Sequence, residues 1–219
     1  MKQGLDRWTP LSGVLSVVCS FVGVMLVLGQ PQEKDSDAKI VAYFDSHAHR
    51  VQSGAGFFVF LAGAMLLLVF LASLRERLRA VEGEPGRLSS LVFGAGVASV
   101  PLWVGSMLLA NGVAFAAGQL SAFHVEPNTF RVLATMGYVA WVAAVVVSSV
   151  VVWGTSAVAL RTSVLPRWFA VAGIVTGGVQ LFGWFFFPFF VWWLWILVAS
   201  ALLVRRPAVA RATVPQPAL

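Results

Sequence analysis

Six apolar stretches separated by short polar segments organise the chain: Leu11–Gln30, Ser53–Leu74, Leu88–Ala110, Phe130–Gly154, Trp168–Phe187 and Phe189–Val204. About 20 residues of helix are needed to cross a hydrocarbon core of about 30 Å, and only the last stretch, with sixteen residues, falls clearly short. The stretches are apolar on every face. Strands of a membrane barrel would alternate with a period of two, so each stretch is predicted to satisfy its own backbone as a helix. The expected fold is all-α: a polytopic membrane helix bundle of six transmembrane helices, arranged as up to three helical hairpins. It forms one domain over residues 1–206, followed by a disordered, Ala- and Pro-rich cytoplasmic tail at 207–219.

The polar connections orient the bundle. With the N-terminus inside, the inner side holds eleven basic residues: Lys2, Arg7, Arg75, Arg77, Arg79, Arg87, Arg161, Arg167, Arg205, Arg206 and Arg211. The outer side holds four, Lys34, Lys39, Arg50 and Arg131. Basic residues are retained on the cytoplasmic side, so both termini are predicted cytoplasmic and the protein is expected in the plasma membrane. The first stretch exceeds a leader's apolar core and lacks an Ala-x-Ala pattern at Gly29-Gln30-Pro31, so it is expected to stay as a helix.

Composition agrees with the pattern. The chain is 59% hydrophobic and 11% charged, whereas a soluble domain is about a quarter charged. The net charge of +6 is therefore read as a signal for topology and for anionic lipids at the inner face. No groove-reading motif accompanies it, and nucleic acid is not an expected partner. Trp8, Trp153 and Trp168 fall at the inner ends of spans. Trp184, Trp192 and Trp193 cluster at the outer end with Phe185–Phe187, as in an interfacial aromatic belt.

Candidate chemistry is sparse. Asp, Glu, Lys, Arg and His are missing from the span cores, which disfavours ion pumping and proton relays and leaves no Lys for a Schiff base or His pair for haem. No cofactor is expected. Cys19 is the single cysteine, so no intrachain disulfide forms, and it is read as a packing residue. Gly173 and Gly177 make a Gly-x-x-x-Gly element, and Gly94, Gly96, Ala98 and Ser99 a small-residue stripe. Both permit close helix approach, within one chain or in a homo-oligomer. Pro101 removes a backbone donor from the third span. With Ser106, Asn111 and, on the fifth span, Gln180, it marks candidate positions for lining a solute route, set against ordinary interhelical hydrogen bonding.

The first outer loop carries more pattern than the others. Ser36 or Asp37 is placed to cap a short surface helix, with Ile40, Tyr43, Phe44 and His47 on one face. All three histidines, His47, His49 and His124, are expected outside, the last beside Glu126. These four residues are the candidate ligands for a borderline metal such as zinc, or the elements of a pH-responsive loop. His47 and His49, two apart, do not share a helix face.

Three segments carry a family likeness: Asp37-Ala-Lys-Ile-Val-Ala-Tyr-Phe-Asp-Ser-His-Ala-His-Arg-Val, Leu74-Arg-Glu-Arg-Leu-Arg, and Leu165-Pro-Arg-Trp before a Gly-rich span. Together they resemble a group of uncharacterised six-span integral membrane proteins of actinobacteria. The resemblance implies a plasma-membrane protein and matches His47 and Arg50 to a Tyr-x-x-x-His-x-x-Arg-like outer segment, without implying an activity. Three functional readings stand at this point. The leading one is a non-enzymatic membrane protein acting through helix packing with itself, with lipid or with a membrane-protein partner. The others are a transporter or channel for a neutral or apolar solute, and an outer-face metal or pH sensor.

Overall fold

A computed structural model describes residues 8–120 and 122–205, and these form seven α-helices and no strand. The helices are α1 (Leu11–Val27), α2 (Asp37–Asp45), α3 (His47–Glu82), α4 (Arg87–Gln119), α5 (Pro127–Thr162), α6 (Arg167–Gln180) and α7 (Phe187–Arg205). The expected tail at 207–219 lies outside the described residues, as do Lys2, Arg7, Arg206 and Arg211.

Four helices, α3, α4, α5 and α7, are long and apolar enough to cross a membrane. The weakest expectation, the sixth stretch, becomes the 19-residue α7. The fifth is corrected: Trp168–Phe187 is not one continuous helix, because α6 ends at Gln180 after 14 residues. Beyond it the backbone tightens into i to i+3 turns, with N–H groups of Leu181, Phe182 and Phe185 donating to the carbonyls of Gly178, Val179 and Phe182. Gly177, Gly178 and Gly183 lower helix propensity through this region. α1 is apolar but has only 17 residues, ending in a turn at 28–30.

Local chemistry fixes the helix ends. The Ser36 Oγ accepts from the Lys39 N–H at 3.4 Å and starts α2. Ser46 closes α2 and opens α3, its Oγ accepting from the His49 N–H at 3.5 Å. This break corrects the expected face of the surface helix: Ile40 and Phe44 are fully buried, whereas His47 falls on the far side of the break and is exposed. Gly83 ends α3 with φ of 77° and Gly86 precedes α4 with φ of 63°, both in the region that favours glycine. The Glu82 carboxylate reaches across this turn and accepts from the Leu88 and Ser89 N–H groups, each at 2.8 Å, so the last residue of one helix caps the next. Burial pushes the Glu82 carboxyl up, but these bonds and nearby Arg161 outweigh it and hold it below the ordinary carboxylate range.

The six long elements pack in sequence order into a closed ring, with α7 returning to touch α1. Successive helices are antiparallel. Gly23 lies against Gly56 and Phe60, Gly63 against Ser16 and Ser20, and Gly13 against Phe70. Likewise Gly154 meets Val92 and Gly137 meets Ser106 and Ala110. One end of the ring therefore collects the loops rich in arginine, and the other collects α2 and the histidines. Three rods are tall and three short: α3, α4 and α5 run about 50 Å or more, while α1, α6 and α7 run about 30 Å or less, at the helical rise.

Two hydrophobic clusters hold the molecule. The larger fills the ring, with Phe60, Leu71, Leu74, Trp103, Trp141, Val151, Trp192 and Ile196 among its members. The smaller seats α2 on the tall helices through Ile40, Phe44, Val113, Ala114 and Phe130. Outside the ring, large apolar side chains are exposed along every long helix, including Leu15 and Phe21, Phe58 and Met65, Leu91 and Leu108, Met136 and Val139, Ile174 and Val175, Phe190 and Leu194. In water such a belt is far larger than a monomeric soluble protein exposes.

Candidate functional site

Where α1, α3, α4 and α7 meet, Ser16 and Ser20 from α1, Ala64 and Leu67 from α3, Trp103 from α4 and Ile196 from α7 line a cavity of about 20 Å³. That is room for one water. The Ser16 Oγ donates to the Gly63 carbonyl at 2.8 Å, which pins α1 to α3. Trp103 is 3% exposed, yet its indole N–H has no hydrogen-bond partner among the described residues. Its ring meets Trp141 edge-on at 4.7 Å, and both meet Phe189. Trp192 and Trp193 are buried in the same wall. This corrects their placement in an interfacial belt: Phe190 and Leu194 take the outward face of α7, turning the two indoles inward. Trp8, Trp168 and Trp184 are exposed, in keeping with that belt.

The candidate solute-lining residues fall in different surroundings. Pro101 stays within continuous α4 on its exposed outer side. Ser106 and Asn111 are buried on the inner side. The Gln30 amide, which sequence reasoning left unassigned, donates to the Asn111 Oδ1 at 2.8 Å and to the Ser53 Oγ at 3.0 Å, while the Asn111 amide donates to the Met107 carbonyl at 2.7 Å. One polar knot thus ties the distal end of α1 to α3 and α4. Gln180 is fully buried on α6, and neither its Oε1 nor its Nε2 has a partner among the described residues. The Thr155, Ser156 and Ser200 hydroxyls and the Trp141 and Trp195 N–H groups are likewise buried without partners there.

The glycine positions divide in a similar way. A Cβ on Gly177 would overlap the Trp153 indole, whose N–H donates to the Ile174 carbonyl at 3.1 Å, and one on Gly173 would overlap the Ser156 Oγ. The Gly-x-x-x-Gly face of α6 therefore receives side chains of α5. Gly96 receives Leu71, at 2.7 Å from a Cβ placed there, and Ser99 is buried beside it. Gly94 and Ala98, four apart, face outward, and a Cβ on Gly94 would meet nothing within 4 Å. The stripe read from sequence is thus two faces of one helix, of which Gly96 and Ser99 form the packed one.

At the histidine end, the four candidate metal ligands are each engaged separately or exposed. His49 stacks on Tyr43 at 4.2 Å, and His124 sits 3.1 Å from the Ala122 carbonyl. Glu126 accepts from the Asn128 N–H at the start of α5, and His47 is exposed. No group of three His, Cys, Asp or Glu side chains able to hold a metal occurs among the described residues. Two arginines organise this end instead. Arg50 donates from Nη1 to the Phe44 and Asp45 carbonyls, each at 2.8 Å, closing the C-terminus of α2. Arg131 on α5 donates to the Glu33 and Asp35 carbonyls, each at 2.9 Å, to the Asn128 Oδ1 at 3.2 Å and to the Asp37 carboxylate at 2.7 Å. The Lys39 ammonium and the Gln32 N–H hold the Asp35 carboxyl below the usual range.

No protein-family model, curated protein or solved structure matches the chain.

Proposed function

We propose that this is a multi-pass plasma-membrane protein of six spans with both termini in the cytoplasm, working without chemistry of its own through contacts with lipid and with membrane-protein partners. One observation carries the reading. At mid-height the interior is filled by buried aromatic and branched side chains such as Trp103, Trp141, Val145, Trp192 and Ile196, and the cavity between α1, α3, α4 and α7 has a volume of about 20 Å³. The exposed apolar belt runs over α1 and α6 as well as the four longer apolar helices, which supports counting both as spans once their flanking turns are included. The arginine-rich end then takes the cytoplasmic side by the charge rule. Trp8 and Trp168 are exposed near that end, at the starts of α1 and α6, where indoles favour the interface.

The test uses single cysteines in a Cys19→Ser background and a membrane-impermeant maleimide on intact cells. Cysteine at His124 is expected to react at once, and cysteine at Glu84 only after permeabilisation; the reverse pattern would overturn the orientation. Purified protein in liposomes is expected to leave the leak of small neutral solutes at the protein-free level. Solute flux that falls on Asn111→Leu would replace this reading with a conduit.

A further inference from the structure

The arginine-rich end of the α3–α4 hairpin holds one cation that the fold leaves uncompensated. Arg75 is the first residue beyond the apolar stretch Ser53–Leu74, and α3 continues past it to Glu82, a further rise of about 10 Å. Its side chain is half-buried between the two helices, with the guanidinium carbon 5.0 Å from the centre of the Phe93 ring on α4. The Arg75 Nε is buried without a hydrogen-bond partner, and no ion pair among the described residues includes this side chain. Its neighbours are engaged differently. Arg79, one turn on, pairs with Glu84 at 2.9 Å, and Arg77 donates to the Leu203 carbonyl near the end of α7. The adjacent carboxylate, Glu76, is exposed and forms no ion pair among the described residues.

Depth and chemistry together select the occupant. A guanidinium stays charged at every physiological pH and offers a planar fork of donors that matches two oxygens of one phosphate. Stacking on Phe93 attracts the charge but accepts none of its hydrogen bonds. The headgroup layer is about 5–8 Å deep on each side of the hydrocarbon, so a side chain rooted at the end of the apolar stretch reaches phosphate level. Toward the membrane centre the same seam turns apolar: Leu68 and Ala72 share the face of Arg75, and Val97 that of Phe93, at helical spacing. Val97 is exposed, and a Cβ on Gly94 would meet nothing within 4 Å, so the seam is open to the outside there. Basic pockets between spans on the cytoplasmic side hold anionic lipid headgroups. We propose that Arg75 binds the phosphodiester of one anionic phospholipid of the inner leaflet, with an acyl chain lying in the α3–α4 seam over Ala72 and Val97. This site deepens the reading above and rests on it, because it requires α3 and α4 to lie in the bilayer.

Full-length protein in detergent is titrated with phosphatidylglycerol and read by native mass spectrometry. One lipid is expected to be retained, whereas diacylglycerol with the same chains is not, and glycerophosphoglycerol, the headgroup without chains, does not displace it. Arg75→Gln is expected to weaken retention about tenfold, as for the loss of a hydrogen bond to a charged group. Arg87→Gln removes the same charge from the exposed start of α4 and is expected to leave retention unchanged. Val97→Trp, which fills the seam from an exposed position, is expected to weaken retention with Arg75 still in place. Retention indifferent to Arg75→Gln, equal losses in Arg75→Gln and Arg87→Gln, equal retention of diacylglycerol, or displacement by the chain-free headgroup would each overturn the site. Membranes carrying the protein are also washed in alkaline carbonate. Protein that stays in the membrane but binds lipid without regard to Arg75 refutes the site alone, and release of the protein refutes the membrane reading beneath it.

Discussion

The positions that decide this fold are the small ones. Gly177 gives the Trp153 indole a flat seat, and Gly63 and Gly56 let α1 come within backbone distance of α3. Gly177→Val has no flexible neighbour to displace, because the overlapping atoms belong to an indole already bonded to Ile174. It is expected to lower stability by about 1–3 kcal/mol, the usual cost of overpacking. Gly94→Ala, on an open face of a helix interior, is expected to leave stability unchanged or raise it by up to about 1 kcal/mol. Thermal unfolding of both variants in one detergent checks the pair, and equal losses would mean that the contacts of Gly177 carry no weight. Sequence alone could not rank these glycines. Gly94, Gly96, Gly173 and Gly177 all read as helix contacts, and only the register of the neighbouring helices separates the ones that are covered.

One helix border was readable because it is written in a polar side chain: the Ser36 cap of α2 was visible as a residue. What escaped was the inside and the outside of each rod. In water, a helix declares its buried face by hydrophobic periodicity; here Trp192 and Leu194 are equally apolar, yet one is buried and the other exposed, so periodicity carried no signal. The end of α6 at Gln180 was hidden for the same reason, since turns built from Leu, Phe and Trp look like more span. The Glu82 bridge to α4 joins two elements and gives a testable pH effect. A carboxyl held below its ordinary range favours the folded chain above about pH 4, and this contribution is lost as pH falls through its lowered folded value. Glu82→Gln is therefore expected to cost about 1 kcal/mol at neutral pH. The gap between variant and parent in unfolding midpoint should close on acidification below about pH 4, and a gap independent of pH would remove the charge from the explanation.

As a whole, the molecule has two hydrophobic clusters, the ring and the smaller one beneath α2. Arg131 is the main polar tie between the loop at residues 33–37 and α5. Arg131→Ala is expected to expose residues 31–46 to hydrogen exchange and to protease while leaving exchange within α4 and α7 unchanged. Loss of protection throughout the ring would show one cooperative core instead. Arg131→Lys is not expected to rescue the loop, because an ammonium cannot span three acceptors as a planar guanidinium does.

The unequal helices have a further result. Val27 of α1 lies beside Gly56, nine residues in from the start of α3, and Trp184 lies beside Tyr138, eleven in from the start of α5. When the short trio ends flush with a bilayer of about 30 Å, the tall trio stands proud of it by about 15 Å on the histidine side. That makes a ledge: between their ends α1, α6 and α7 present an apolar outer surface, including Leu15, Phe21, Ile174, Val175, Phe190 and Leu194, whereas the raised flank presents α2 and its arginine ties to the water.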